Sequence, residues 1–347
     1  MLYVGVDLHQ HYLFATVMDE KGKVLTQDKV ETDVDSVKDY FGRLVESDFL
    51  ELAVEPISSW YYFYEIVEEI GCNVHLVNPL KVKAIASARI KTDKIDSNIL
   101  AHLLRTNLLP EAYIPNRSIR DLKELLRTRA SLVHLRTEVK NKIHALLHKN
   151  GIQHDWTNLF GKGGREFLGN LGLRQPYQGA LEHYLELTDT LDKQIDQLGL
   201  EIQLKAEDDQ DALLLTTIDG IGYYSALLIK SEIGDIKRFP SWRHLASYAG
   251  VAPSVYSSGG KTRTGRITKQ GSKWLRWAIT ETTVRQSRAE SRIAEFYRRT
   301  KIRKGTRIAK VATARKLLEV IYSMLKNGRP YVAFPEGYSS NKCIPVY

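Results

Sequence analysis

Leu2-Tyr3-Val4-Gly5-Val6-Asp7, Tyr12-Leu13-Phe14-Ala15-Thr16-Val17-Met18 and Lys23-Val24-Leu25-Thr26-Gln27-Asp28-Lys29-Val30 open the chain. Each is a short run rich in β-branched and aromatic residues. Asp19-Glu20-Lys21-Gly22, between the second and third, has the turn chemistry of a hairpin. Three antiparallel strands are therefore expected first. Downstream, Ser36 to Val45 places Val37, Tyr40, Phe41 and Leu44 on one helical face. Phe49 to Glu55 reads as a strand, Tyr61 to Ile70 as a helix, Asn73 to Val77 as a strand, and a further helix follows Pro79. A three-strand meander followed by βαβ units is the order of a ribonuclease H-like fold, a mixed sheet covered by helices, here assigned to residues 1–117.

Beyond that α/β domain the periodicity turns helical. Leu125, Leu132, Val139 and Leu146 recur every seven residues. After a Gly-rich interruption, Leu181, Tyr184, Leu191, Ile195, Leu198 and Ile202 alternate in steps of three and four, with Thr188 the one polar member. A central coiled-coil arm over 118–208 is expected, as an antiparallel helical hairpin or a dimerising arm; the pattern fits both. The acidic cluster Glu207, Asp208, Asp209 and Asp211 marks its end. Residues 209–330 read as an all-α basic domain. In it, Gly220 and Gly222 lie between apolar helical runs and resemble a helix-hairpin-helix, whose backbone amides face a DNA phosphate. The tail, 331–347, holds Pro335, Gly337 and Pro345 and reads as an irregular arm.

The chain of 347 residues is 43% hydrophobic, enough for two or three domains with ample core. No apolar stretch is long enough to span a membrane, and the start has no secretory pattern, so a cytoplasmic protein is expected. Cys72 and Cys343 share no short-range motif, which excludes a Cys-rich zinc site. The net charge of +9 is unevenly distributed: Lys261 to Lys316 carries eighteen Lys and Arg against three acids. Clustered like charge calls for an anionic partner, and nucleic acid fits because phosphate neutralisation releases counterions. Lys261, Arg263, Arg266, Lys269, Lys273 and Arg276 are the cations expected to hold a strand.

Four acids carry the candidate chemistry. Asp7 and Glu55 close apolar strands that neighbour each other in a ribonuclease H-like sheet, so their carboxylates converge at its carboxyl edge. Asp93 and Asp96 lie three apart at the start of a helix ending near Leu104, on one face. Each alone reads as a turn former, a cap or a first-turn charge. Together they would repel unless cations neutralise them. Mg²⁺ fits, since it takes oxygen ligands and keeps waters for substrate phosphate. A pair of such ions stabilises both the attacking and the leaving oxygen of a phosphodiester displacement. In the basic segment, Ser258 precedes Gly259-Gly260 and then Lys261, Arg263 and Arg266, a serine placed for a phosphate; read from pattern alone it is a Gly/Ser turn. Gly161-Lys162-Gly163-Gly164 lacks the spacing of a nucleotide cradle, and Trp274 and Trp277 read as helix-packing residues.

Val4-Gly5-Val6-Asp7, Val54-Glu55, Asn78-Pro79, Lys91-Thr92-Asp93-Lys94-Ile95-Asp96, Ile218 to Gly222, Gly250-Val251-Ala252-Pro253, Ser257-Ser258-Gly259, Gly265 to Gly271 and Leu275-Arg276 follow in an order that resembles the DEDD transposases of bridge-RNA-guided insertion sequences, relatives of the Piv type of DNA invertase. The resemblance runs over nearly the whole chain. It implies a RuvC-like catalytic domain with Asp7, Glu55, Asp93 and Asp96 as the metal tetrad, and a serine that becomes covalently joined to DNA. Ser258 matches the family's serine position, with Ser257 an adjacent rival. It further implies donor and target DNA, an element-encoded bridge RNA, a homo-oligomeric synapse (dimer or tetramer), active sites built from both domains, and association with the nucleoid when DNA is bound. Ser97 stands where Ala is common, and Pro56-Ile57-Ser58 where many relatives have small residues ending in Gly. The competing expectation is a Holliday-junction-type endonuclease that uses the tetrad and water.

Overall fold

The structure, a computed structural model, describes residues 1–86 and 92–334. Lys91 and the tail residues Pro335, Gly337, Cys343 and Pro345 lie outside them. The chain forms two compact units, Met1–Pro115 and the residues from Asn116 onward.

In the first unit, β1 (Leu2–Leu8), β2 (Tyr12–Met18) and β3 (Val24–Glu31) form the expected antiparallel meander. Helix α1 (Val34–Ser47), capped by the Asp33 side chain on the Ser36 amide, leads to β4 (Leu50–Val54). Then come α2 (Trp60–Glu69), β5 (Asn73–Leu76), α3 (Pro79–Ile85) and α4 (Asp93–Arg105). The sheet order is β3-β2-β1-β4-β5, with β4 parallel to β1 and β5 parallel to β4. This mixed sheet with covering helices is the architecture expected of residues 1–117.

Strand alternation sorts the side chains. Val4, Val6, Leu8, Leu52 and Val54 share one core with Phe41 of α1 and Phe63 of α2. The opposite parity, carrying Tyr3 and Ala53, packs with Leu100, Leu103 and Leu104 of α4. Gly5 belongs to that second face. A β-carbon there would overlap the Ser97 carbonyl and the Ala101 amide, so a residue without a side chain is what lets α4 lie directly on β1. Beside it, the buried hydroxyls of Thr16 and Ser97 are 2.7 Å apart, so the serine standing where alanine is common has a partner.

The second unit is built on two long helices, α5 (Arg117–Lys149) and α7 (Tyr177–Glu207), with α6 (Lys162–Gly169) between them. Leu181, Thr188, Leu191, Ile195 and Ile202 are the buried face of α7, while Leu200 and Leu204 are exposed. Arg136 of α5 pairs with Asp192 of α7 at 2.5 Å, consistent with the hairpin alternative for the arm. At the other end Leu126, Ile202 and Ala206 share one apolar core with the helices that follow: α8 (Gln210–Thr216), α9 (Tyr223–Ile233) and α10 (Trp242–Tyr248).

The expectation of an all-α region over 209–330 fails at one place. Two strands, β6 (Pro253–Ser258) and β7 (Lys261–Ile267), pair antiparallel as a hairpin. Gly259 and Gly260 form its two-residue turn with φ of +56° and +76°, the primed-turn geometry that matches strand twist. Val255, Tyr256, Thr262 and Thr264 supply β-branched and aromatic residues on either side. Three helices complete the unit: α11 (Lys273–Gln286), α12 (Arg292–Lys304) and α13 (Thr306–Asn327). Among the described residues no helix is long and apolar enough to cross a membrane.

Candidate functional site

Asp7 sits one residue before the end of β1, and its neighbour Val6 is in register with Val54 of the parallel strand β4. Glu55, the first residue after β4, is therefore laterally adjacent at the carboxyl edge of the sheet. Both have the parity of Gly5 and Ala53, the face covered by α4. The start of α4 is fixed by Thr92, whose side-chain oxygen accepts from the Ile95 amide at 3.3 Å. With the cap made by Thr92, Asp93 is the first helical residue, and its Oδ2 accepts the Tyr12 hydroxyl at 3.0 Å. That hydrogen bond raises the Tyr12 pKa above the ordinary phenol value, because losing the proton would set two negative charges against each other.

Asp7, His9 and Asp93 form a group whose donor atoms all lie within 4.8 Å of one another. The His9 Nε2 atom is 3.4 Å from Asp7 Oδ2 and 3.5 Å from Asp93 Oδ2. Asp96, on the first turn of α4, and Glu55 are half-buried and stand outside this tight group. Of the four acids expected from sequence, two are thus brought together closely and two are placed on the adjoining strand end and helix turn. His9 was not among the expected residues. It lies two positions past Asp7 and so continues the α4-facing parity, which is the signal in the sequence that points to it.

The donors present fit a hard or borderline divalent ion. The carboxylates are anionic oxygens, and His9 Nε2 is buried without a hydrogen-bond partner. Asp7 is 19% exposed and Asp93 40%, so the group is reachable from solvent.

In the second unit Ser258 pairs with Lys261 across the hairpin turn, and Ser257 with Thr262, whose hydroxyls are 3.2 Å apart. Lys261, Arg263 and Arg266 are exposed along β7, as are Lys269 and Lys273 beyond it. Arg276 is different. Its Nη1 donates to the carbonyls of Ala249 (3.0 Å) and Lys269 (3.2 Å), so it clamps the base of the hairpin. That base is also held by Ser272, which caps α11 and donates to the buried carboxylate of Glu232 at 2.9 Å. Arg127 of α5 donates to the same carboxylate at 2.6 Å. Lys123 lies 3.9 Å from it, and burial lowers the Lys123 pKa. Between α8 and α9 the Ile221 amide closes a turn on the Ile218 carbonyl, with Gly220 at φ +85°, where a β-carbon would run into the Arg285 side chain. Gly222 precedes the first turn of α9 and makes no side-chain cap. Trp274 packs against the apolar core, whereas Trp277 is 45% exposed.

A family model described as a transposase, for the DEDD enzymes of the IS110 type, matches residues 4–150. A second, the transposase IS116/IS110/IS902 family, matches residues 212–298. A probable family 20 transposase of Pseudomonas aeruginosa is 24% identical over 94% of this chain and 98% of its own length. The transposase for insertion sequence element IS1111A of Coxiella burnetii is 24% identical over 94% of this chain and 90% of its own. The pilin gene-inverting protein of Moraxella bovis is 29% identical over 74% of each chain.

Proposed function

Because the chain belongs to the IS110/IS116/IS902 family of transposases, we propose that it cuts and exchanges DNA strands through a serine nucleophile, with Mg²⁺ held by Asp7, Glu55, Asp93 and Asp96 and a bridge RNA choosing the sites. The observation that carries this reading is the convergence of Asp7 and Asp93 at the carboxyl edge of β1, with Glu55 and Asp96 on the adjoining strand end and helix turn. Divalent ions bound there would supply charge neutralisation for a phosphodiester under attack.

The chain's own residues divide the remaining work. In this reading the Ser258 Oγ forms a bond to phosphorus while the bond from phosphorus to a sugar oxygen breaks, and that oxygen leaves as a hydroxyl. The product is a phosphoserine ester, so the energy of the broken bond is kept. A hydroxyl of a new DNA end reverses the step and frees the serine without a nucleotide cofactor. Exposure of the hairpin supports it, because a nucleophile for duplex DNA must stand clear of its own fold. Lys261, Arg263, Arg266, Lys269 and Lys273 hold the phosphate backbone by charge, and the amides around Gly220 and Gly222 hold it by hydrogen bonds in the manner of a helix-hairpin-helix. Arg276, spent on two carbonyls, shapes the hairpin base instead. Two strands are exchanged between two DNA partners, so a homo-oligomer, dimer or tetramer, assembles on them.

The test is denaturing electrophoresis of the full-length protein with DNA carrying the element ends, Mg²⁺ and the flanking non-coding RNA. A covalent protein–DNA adduct is expected, lost in Ser258→Ala and kept in Ser257→Ala. Absence of any adduct, together with cleavage by Ser258→Ala, overturns the serine reading in favour of a water-using junction endonuclease. Site choice that is unchanged when the RNA is withheld overturns the RNA-guided part.

A further inference from the structure

Resting on the reading of Asp7 and Asp93 as holders of a divalent ion, we propose that His9 contributes a nitrogen donor to the same ion and biases the site toward Mn²⁺ over Mg²⁺. His9 Nε2 lies between the two carboxylates, 3.4 Å and 3.5 Å from their Oδ2 atoms. Charge-assisted N–H···O bonds are shorter, about 2.7–2.9 Å, and the buried Nε2 has no hydrogen-bond partner. The spacing instead suits donors that share a cation. Ligands about 2.1 Å from an octahedral ion lie about 3 Å apart in neighbouring positions. The three donor atoms need only small side-chain rotations to reach that spacing.

The imidazole is held ready for this. The His9 amide donates to the Tyr12 carbonyl at 2.9 Å, closing the turn between β1 and β2. The His9 and Tyr12 rings lie with centroids 4.6 Å apart. Tyr12 is pinned in turn by its bond to Asp93 Oδ2 and by the Lys29 ammonium 3.9 Å from its ring centroid. One aromatic residue thus orients the imidazole and one of the carboxylates together. A nitrogen donor matters for metal choice: Mg²⁺ binds oxygen and keeps its waters, whereas first-row transition ions accept imidazole readily. A site of oxygen donors alone has a weaker bias of this kind.

The experiment uses the full-length protein without DNA. Electron spin-echo envelope modulation of the Mn²⁺-loaded chain is expected to show coupling to a directly bound ¹⁴N, absent in His9→Gln. The Mn²⁺ dissociation constant is expected to rise about 10-fold or more in His9→Gln, and the Mg²⁺ constant by less than about 3-fold. Asp7→Asn is expected to lose both the affinity and the coupling, which places the signal at this site. Thermal melts of His9→Gln that match the parent exclude a folding defect; a lowered melt is met by repeating the titration at a temperature where the variant is fully folded. The proposal is overturned if the parent fails to bind Mn²⁺, if the nitrogen coupling persists in His9→Gln, or if both metals weaken equally. A chain with the nitrogen coupling but no DNA adduct sinks the recombinase reading alone. An adduct-forming chain without the coupling sinks only this one.

Discussion

The acidic edge of the first unit and the serine hairpin of the second are built on opposite principles. Asp7 and Glu55 are aligned by the register of neighbouring strands in a five-stranded sheet, and Asp93 by a capped helix pressed onto that sheet at Gly5. Ser258 sits at the tip of two strands whose residues are exposed on nearly every position, with Tyr256 70% and Val255 58% accessible. In the proposed reading these acids are ion ligands, which tolerate errors of only a few tenths of an ångström and so belong in the best-packed part of the unit. In the same reading Ser258 is a nucleophile for a large duplex and needs access first, and only the base of its hairpin is anchored.

That contrast fixes the order in which substitutions should act. The largest effect is expected from Gly5→Ala, which drives a methyl group into the backbone of α4; a loss of about 3 kcal/mol of stability, read from urea unfolding, is the expectation. A loss under about 1 kcal/mol would break the account of the acidic edge as a tightly registered site. Next is the double substitution Gly259→Ala with Gly260→Ala, which places side chains at two positive-φ positions. Each costs about 1 kcal/mol or more locally, yet the hairpin adds little to the core. The melting temperature of the whole protein is therefore expected to shift by only about 2 °C, while the covalent DNA adduct falls steeply. A large melting shift would show that the hairpin is structural. The smallest effect belongs to Tyr256→Ser, within about 0.5 kcal/mol of the parent in chemical unfolding. A greater loss would mean that the exposed aromatic ring packs somewhere, and that the hairpin resembles the sheet edge after all.

The same contrast explains what the sequence made legible. The meander and the βαβ units were readable because each strand has a buried face and a helix opposite, which imprints periodic apolar residues such as Val4, Val6 and Leu8. The hairpin at 253–267 was missed because strands exposed on both faces carry no such alternation. Its signal was local: a Gly-Gly pair between Val255-Tyr256 and Thr262-Arg263-Thr264, the strongest short-range hairpin chemistry in the region. The acids were readable as strand-end and helix-start residues, whereas His9 lies beyond the end of β1, where no apolar alternation marks it. The anchoring of Glu232 was out of reach, since its partner Arg127 is 105 residues away and no pattern links them.

The hydroxyl pair of Thr16 and Ser97 has a consequence for how such proteins diverge. Each of these buried hydroxyls also has a second partner: Thr16 Oγ1 accepts from the Gln27 side-chain amide at 3.1 Å and Ser97 Oγ donates to the Lys94 carbonyl at 3.2 Å, so losing one does not strand the other. The helix position is therefore free to change by itself: with alanine at position 97 the Thr16 hydroxyl still holds Gln27.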